Sequence, residues 1–264
     1  MQVGDTSWME PVGTEMKNHI VKWIQDYFID NGPDSVAVVG ISGGKDSSVV
    51  AALCVEALGK DRVLGVKMPE GKQHDIDYSN HLIEHLGIDS LTVDIRPITD
   101  AFRYALGQGF VKVNEQVNTN LPARVRMAVL YAVAAGHGGR VANTCNRSED
   151  YVGYSTKFGD AAGDFSPLAN FTVEEVLQIG EALNLPDGLI EKVPEDGLSG
   201  KTDEDNLGFS YKTLDNYILR GIRPDFPTLV KIKQLHDKNW HKLKPMPKCP
   251  PLYLAKPIEE WKMP

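Results

Sequence analysis

Residues 35–58 read SVAVVGISGGKDSSVVAALCVEAL, with Gly40-Ile41-Ser42-Gly43-Gly44-Lys45-Asp46-Ser47-Ser48 at the centre. Ser35 to Ile41 is a β-branched run, apolar on both faces, and so predicts a fully buried strand. Ser47 to Leu58 predicts a helix. Between them, two glycines let backbone amides close around an anion, the serines offer hydroxyls, and the helix N-terminus adds partial positive charge. The turn is not a Walker P-loop, because Val39 stands at the first glycine position and Asp46, not a hydroxyl residue, follows Lys45. Nor does it match G-x-G-x-x-G. A carboxylate beside a phosphate repels it unless a hard cation such as Mg²⁺ joins the two. The plainer alternative is an ordinary strand-to-helix turn with an Asp-Ser cap.

Working outward, Glu15 to Asp30 carries Met16, Ile20, Trp23, Ile24, Tyr27 and Phe28 at helical spacing, and Asn31-Gly32-Pro33 stops it. Strands are predicted at Val63–Met68, Leu91–Ile95 and Val141–Thr144. Helices are predicted near Asp75–Leu86, Ile98–Leu106 and Ala123–Ala135. This alternation predicts an α/β fold in one domain over 1–264, a doubly wound, Rossmann-like parallel β-sheet flanked by helices. Residues 186–208, rich in Gly, Pro and acids, are a candidate lid or a plain surface loop. Residues 245–264 hold six prolines and predict an extended tail.

A net charge of -8 argues against general nucleic-acid binding. No apolar run approaches ~18 residues and the first residues carry no leader pattern, so a soluble, cytoplasmic protein without a membrane partner is expected. Cys54, Cys145 and Cys249 are widely spaced and read as reduced thiols.

The segment GISGGKDS resembles the signature of the ATP pyrophosphatases, the PP-loop family, which cleave ATP between its α and β phosphates. Further blocks, NLPARVRMAVLYAVA, NTCNRSEDYVGYSTKFGDAAGDFSPL and GKTDEDNLGFSYKTLDNYI, resemble the ammonia-dependent NAD synthetases in content and order. The resemblance implies an adenine nucleotide alpha hydrolase-like fold. It also implies amidation of deamido-NAD with ammonia, through an adenylated carboxylate, releasing AMP and pyrophosphate.

On that resemblance Gly40, Ile41, Ser42, Gly43, Gly44, Lys45, Asp46 and Ser47 form the ATP loop, with Ser42, Lys45, Asp46 and Ser47 nearest the chemistry. Thr144 and Thr202 match further ATP contacts, and Asp46 and Glu149 match Mg²⁺ ligands. Arg124, Lys157, Asp160, Asp164, His241 and Lys242 match deamido-NAD contacts. Lys67 is placed to meet adenosine or phosphate. Taken without the resemblance, Glu149 is equally a helix-start acid, Thr144 a strand-end hydroxyl, and the lysines solvated surface. The family implies a homodimer, for which the helix around Met127–Ala135 is a candidate face; a buried intrachain helix explains the same residues.

Val173 stands where the family commonly has an ATP-binding lysine, so Lys157, Lys201 or Lys242 is expected to compensate. Pro122 and Asn143 also depart from the commonest residues. His81-Leu82-Ile83-Glu84-His85 matches H-x-x-E-H, yet lies on a predicted crossover helix away from the glycine turn and reads as a solvated face. A tRNA-modifying relative would be expected to show a cysteine pair and a basic surface; a glutamine-hydrolysing form would need a further amidase domain. A nucleotide sensor with a degenerate site is the alternative from another class.

Overall fold

The computed structural model describes residues 12–72, 76–190 and 202–250. Four parallel strands, β1 (Ala37–Gly40), β2 (Val63–Lys67), β3 (Asp89–Thr92) and β4 (Arg140–Val141), form one sheet in the order β3-β2-β1-β4. Ala37 pairs with Val63 on one side of β1 and with Arg140 on the other. The chain therefore winds outward through β2 and β3, then returns past β1 to lay down β4. That reversal opens a crevice at the carboxyl ends of β1 and β4, where ligands of open α/β sheets bind.

Period-two alternation splits β1 between two cores. Ala37 and Val39 face α1 (Val12–Asn31), α2 (Lys45–Leu58) and α7 (Val173–Ala182), where Ile20, Ile24, Phe28, Val50, Leu53 and Ile179 are buried. Val38 faces the other way, with Val141, toward Val125, Met127, Leu130 and Ala134 of α5 (Glu115–His137). Each such side chain contributes about 1.5–3 kcal/mol when fully removed from water. A third apolar cluster joins α6 (Arg147–Val152), α9 (Asp203–Leu207), α10 (Tyr211–Arg220) and α11 (Phe226–Asn239) through Val152, Leu207, Leu214 and Ile232. The remaining helices are α3 (Ile76–Leu86), α4 (Arg96–Gln108) and α8 (Asp187–Ile190).

Several predicted boundaries move, each for a local reason. The long helix starts eight residues before Ala123, because the Asn114 side chain caps it by accepting from the Val117 amide at 3.0 Å, and the helix runs straight through Pro122. The third strand is Asp89–Thr92, an exposed edge rather than Leu91–Ile95; Ile95 is instead the buried N-cap of α4. β4 ends at Val141, since beyond it the Asn143 amide turns to the Phe165 carbonyl at 2.8 Å. On the Met127–Ala135 segment, Met127, Leu130 and Ala134 pack on the sheet, while Ala128, Tyr131, Ala132 and Ala135 are exposed on the opposite side. Within 186–208, both ends are short helices, α8 and α9, and Leu189 and Ile190 are buried; 191–201, like most of the tail at 245–264, lies outside the described residues. His81 and His85 sit exposed on α3. Cys54, Cys145 and Cys249 are all free thiols.

Candidate active site

Gly40 closes β1 where a Cβ would press on Leu130 and Met68 at 3.3 Å. Gly43 takes φ +80°, a conformation that L side chains avoid, and a Cβ there would meet Tyr78 at 2.9 Å. Ile41, between them, is buried and ties the loop to β2 through the Val66 carbonyl at 2.9 Å. The serines hold the bend: the Ser47 hydroxyl donates to the Gly44 carbonyl at 3.1 Å and lies 3.0 Å from the Ser42 hydroxyl, which accepts from the Gly44 amide at 3.2 Å. Ser48 also donates to Gly44, at 2.9 Å. No side chain caps α2, so the Asp-Ser cap alternative is not realised. An uncapped helix start beside two glycines is an anion cradle.

Across the crevice, α6 begins with a capping box. The Asn146 side-chain oxygen accepts from the Ser148 and Glu149 amides at 3.0 Å, and the Glu149 carboxylate accepts from the Asn146 amide at 3.2 Å. Glu149 is thus the helix-start acid of α6. The Asn146 side-chain NH₂ donates to Asp46 Oδ1 at 2.9 Å, so one fully buried asparagine links the two acids, by its side chain to Asp46 and by its backbone amide to Glu149. Asp46 Oδ2 accepts from Lys45 Nζ at 2.7 Å. Lys45 is only 4% exposed and lies 5.7 Å over the Tyr211 ring. Burial pulls its ammonium down, but Asp46, Glu149 and Asp203 outweigh this and hold it above its ordinary value. Desolvation, then Asp46, push the Glu149 carboxyl well above the usual carboxylate range, against the pull of Lys45.

The remaining expected residues divide. Thr144 lies just beyond β4. Thr202 caps α9, its hydroxyl accepting from the Asp205 amide at 3.1 Å. Arg124 donates to the Lys157 carbonyl at 3.3 Å, Lys157 Nζ to the His241 carbonyl at 3.2 Å, and Lys242 Nζ to the Gly153 and Ser155 carbonyls at 2.8 and 3.0 Å. These four form one connected basic group. Asp160 accepts from the Thr156 amide at 2.9 Å; desolvation raises its carboxyl. Asp164 stands apart, binding the Val141 amide at 2.7 Å and the Tyr131 hydroxyl at 3.3 Å. Lys67 donates to Asn80 at 2.7 Å. Val173 joins the apolar cluster of Tyr211 and Leu214. Of its expected replacements, Lys157 and Lys242 are bonded to carbonyls, and Lys201 lies outside the described residues.

Four residues escaped the sequence: Asn146, Asp203, Tyr211 and Arg126. The first was legible as the start of Asn-x-x-Glu, a capping-box pattern. Asp203 and Tyr211 approach Lys45 only through the third cluster. Arg126, which donates to the Met68 carbonyl at 3.1 Å, needed the α5–β2 packing to be found.

The NAD synthase family model matches residues 16–246. The chain belongs to the NAD synthase family. An NH(3)-dependent NAD(+) synthetase of Pyrococcus furiosus is 41% identical over 202 residues, 76% of this chain and 77% of that one. The solved structure of an NMN synthetase from Francisella tularensis superposes with TM-score 0.83 at 32% identity, over 92% of this chain and all of the other. An NH3-dependent NAD synthetase from Campylobacter jejuni gives TM-score 0.72 at 29% identity, again over 92% and all of the other. The family match, over residues 16–246, spans the glycine loop, the capping-box acid and the basic group alike.

Proposed function

We propose that this chain is an ammonia-dependent NAD synthetase that adenylates the nicotinate carboxylate of deamido-NAD with ATP. A carboxylate resists ammonia because it is anionic and lacks a leaving group. Its oxygen attacks the α-phosphorus, pyrophosphate departs, and the resulting acyl adenylate accepts ammonia; AMP leaves and a proton is lost. The glycine loop, with Gly40 to Ser47, binds the departing pyrophosphate through amides and the Ser42 and Ser47 hydroxyls. Arg124, Lys157, His241 and Lys242, with Asp160 and Asp164, orient deamido-NAD so that its carboxylate meets the α-phosphorus in line. Thr144 and Thr202 border the nucleotide.

Asp46 and Glu149 fit Mg²⁺, which needs few protein oxygens because substrate phosphates and water complete its shell. Among the described residues no group of three or more His, Cys, Asp or Glu side chains is placed to hold an ion by itself. When bound, the ion would neutralise the triphosphate and the leaving pyrophosphate.

The observation that supports this reading best is the Asn146 link holding Asp46 of the loop beside Glu149 at the sheet's switch point. A homodimer in the cytoplasm is part of the same reading. The higher likeness to an NMN synthetase favours one second reading, in which the mononucleotide of nicotinate is amidated instead. Assays with ATP, Mg²⁺, ammonia and either substrate separate them. NAD formation at a kcat/KM at least about tenfold above that for the mononucleotide supports deamido-NAD as substrate. Preference for the mononucleotide, or turnover of neither, contradicts it.

A further inference from the structure

Lys45 opens α2, where the helix's partial positive charge disfavours a cation. Nevertheless its ammonium is buried at 4% exposure, clamped to Asp46 Oδ2 at 2.7 Å, seated over Tyr211, and within the fields of Glu149 and Asp203. Burying a lysine is costly unless it is paired, and burying these acids together is costly unless a cation joins them. Each cost is met by the other. Asp46 has two oxygens: Asn146 holds Oδ1 from a fully buried position, and Lys45 holds Oδ2. A divalent ion approaching Asp46 therefore finds one oxygen fixed and the other capped by an ammonium.

We propose that the Lys45 ammonium is a placeholder cation, neutralising the acids of the free protein and giving up Asp46 Oδ2 when a divalent ion arrives with nucleotide. Asn146 stays in place and keeps Asp46 aimed during the exchange. The released ammonium is carried by a four-carbon stem anchored at the first residue of α2, beside the loop's anion cradle. Nucleotide phosphate there is the partner of opposite charge that the buried lysine then requires. Two consequences follow: the free protein binds divalent ions weakly, and metal and nucleotide bind cooperatively.

This exchange presupposes the metal assignment above, and the two can fail separately. Mn²⁺ binding to the full chain is measured by electron paramagnetic resonance, without nucleotide and then with a non-cleavable α,β-methylene ATP. Without nucleotide, Lys45→Met and Lys45→Gln are expected to bind Mn²⁺ at least about tenfold more tightly than wild type, one neighbouring charge being worth about that much in a partly buried site. Lys45→Arg is expected to stay as weak as wild type. With the nucleotide analogue, the wild-type advantage from added nucleotide is expected to exceed that of Lys45→Met. Equal or weaker Mn²⁺ binding by both neutral variants, each with a wild-type circular dichroism spectrum, overturns the exchange. Asp46→Asn is the control: if it retains wild-type Mn²⁺ binding with the analogue, the metal assignment itself is overturned; if it loses binding while the neutral variants gain none, only the exchange falls.

Discussion

Asp46 is the residue whose chemistry was most legible, because a lone acid in an otherwise anion-binding turn has a short list of uses. Asp46→Asn keeps the shape and removes the charge. Turnover is expected to fall at least about 100-fold, the scale of losing a main electrostatic group at a reacting centre, while the circular dichroism spectrum stays that of wild type. Wild-type turnover with Mg²⁺ would contradict the assignment. Asp150 provides a test of electrostatics outside the loop. Desolvation, with Asp160 adding, raises its carboxyl to about 6 from a model-peptide value near 3.8. Between those values the native state holds a proton that the unfolded chain has lost, so this group's contribution to stability falls as pH rises from about 4 to about 6. Asp150→Asn is therefore expected to be more stable than wild type at pH 7, by about 1 kcal/mol after allowing for partial solvent screening, or about 2–4 °C. The gain is expected to vanish near pH 4. A variant equally stable, or less stable, at pH 7 contradicts the sign. The sequence could not reveal Lys45's surroundings, because its partners Asp203 and Tyr211 come from segments more than 150 positions away.

At the scale of elements, four strands and the first five helices were placed, whereas α6 to α11 were not anticipated. α1 follows an apolar period and α2 is a nearly continuous apolar run between the glycine turn and Gly59, whereas β3 is an exposed edge whose residues carry little pattern and β4 is only two residues long. Pro122 displaced the predicted start of α5, because proline usually opens a helix rather than sitting within one. The tie between helices was not legible at all. Asp215 Oδ1 accepts from the Ser148 hydroxyl and Oδ2 from the Glu174 amide at 2.9 Å, while the Ser148 hydroxyl accepts from the Val173 amide at 3.2 Å. One nearly fully buried carboxylate on α10 thus closes the first turns of both α6 and α7. Asp215→Ala strands those donors and is expected to cost about 2–4 kcal/mol, lowering the melting temperature by roughly 5–12 °C. A loss below about 0.5 kcal/mol in chemical denaturation would show the tie to be dispensable.

For the molecule as a whole, the alternation of strands and helices foretold a doubly wound sheet, and the switch point put the glycine loop opposite the segment after β4. What they left open is what meets the outer surface. Phe102, Tyr104, Phe110 and Val111, on α4 and the turn after it, are 48–97% exposed. A homodimer is expected, so light scattering should give twice the 29.1 kDa chain mass; a species of 29.1 kDa at micromolar concentration would contradict it. The central claim concerns the route of one oxygen atom. With deamido-NAD labelled with ¹⁸O at both oxygens of its nicotinate carboxylate, ammonia, ATP and Mg²⁺, attack of that carboxylate on the α-phosphorus carries label into the released AMP. Mass spectrometry is predicted to find one ¹⁸O per labelled molecule in AMP and none in pyrophosphate; ADP as product, or AMP free of label, would contradict the account.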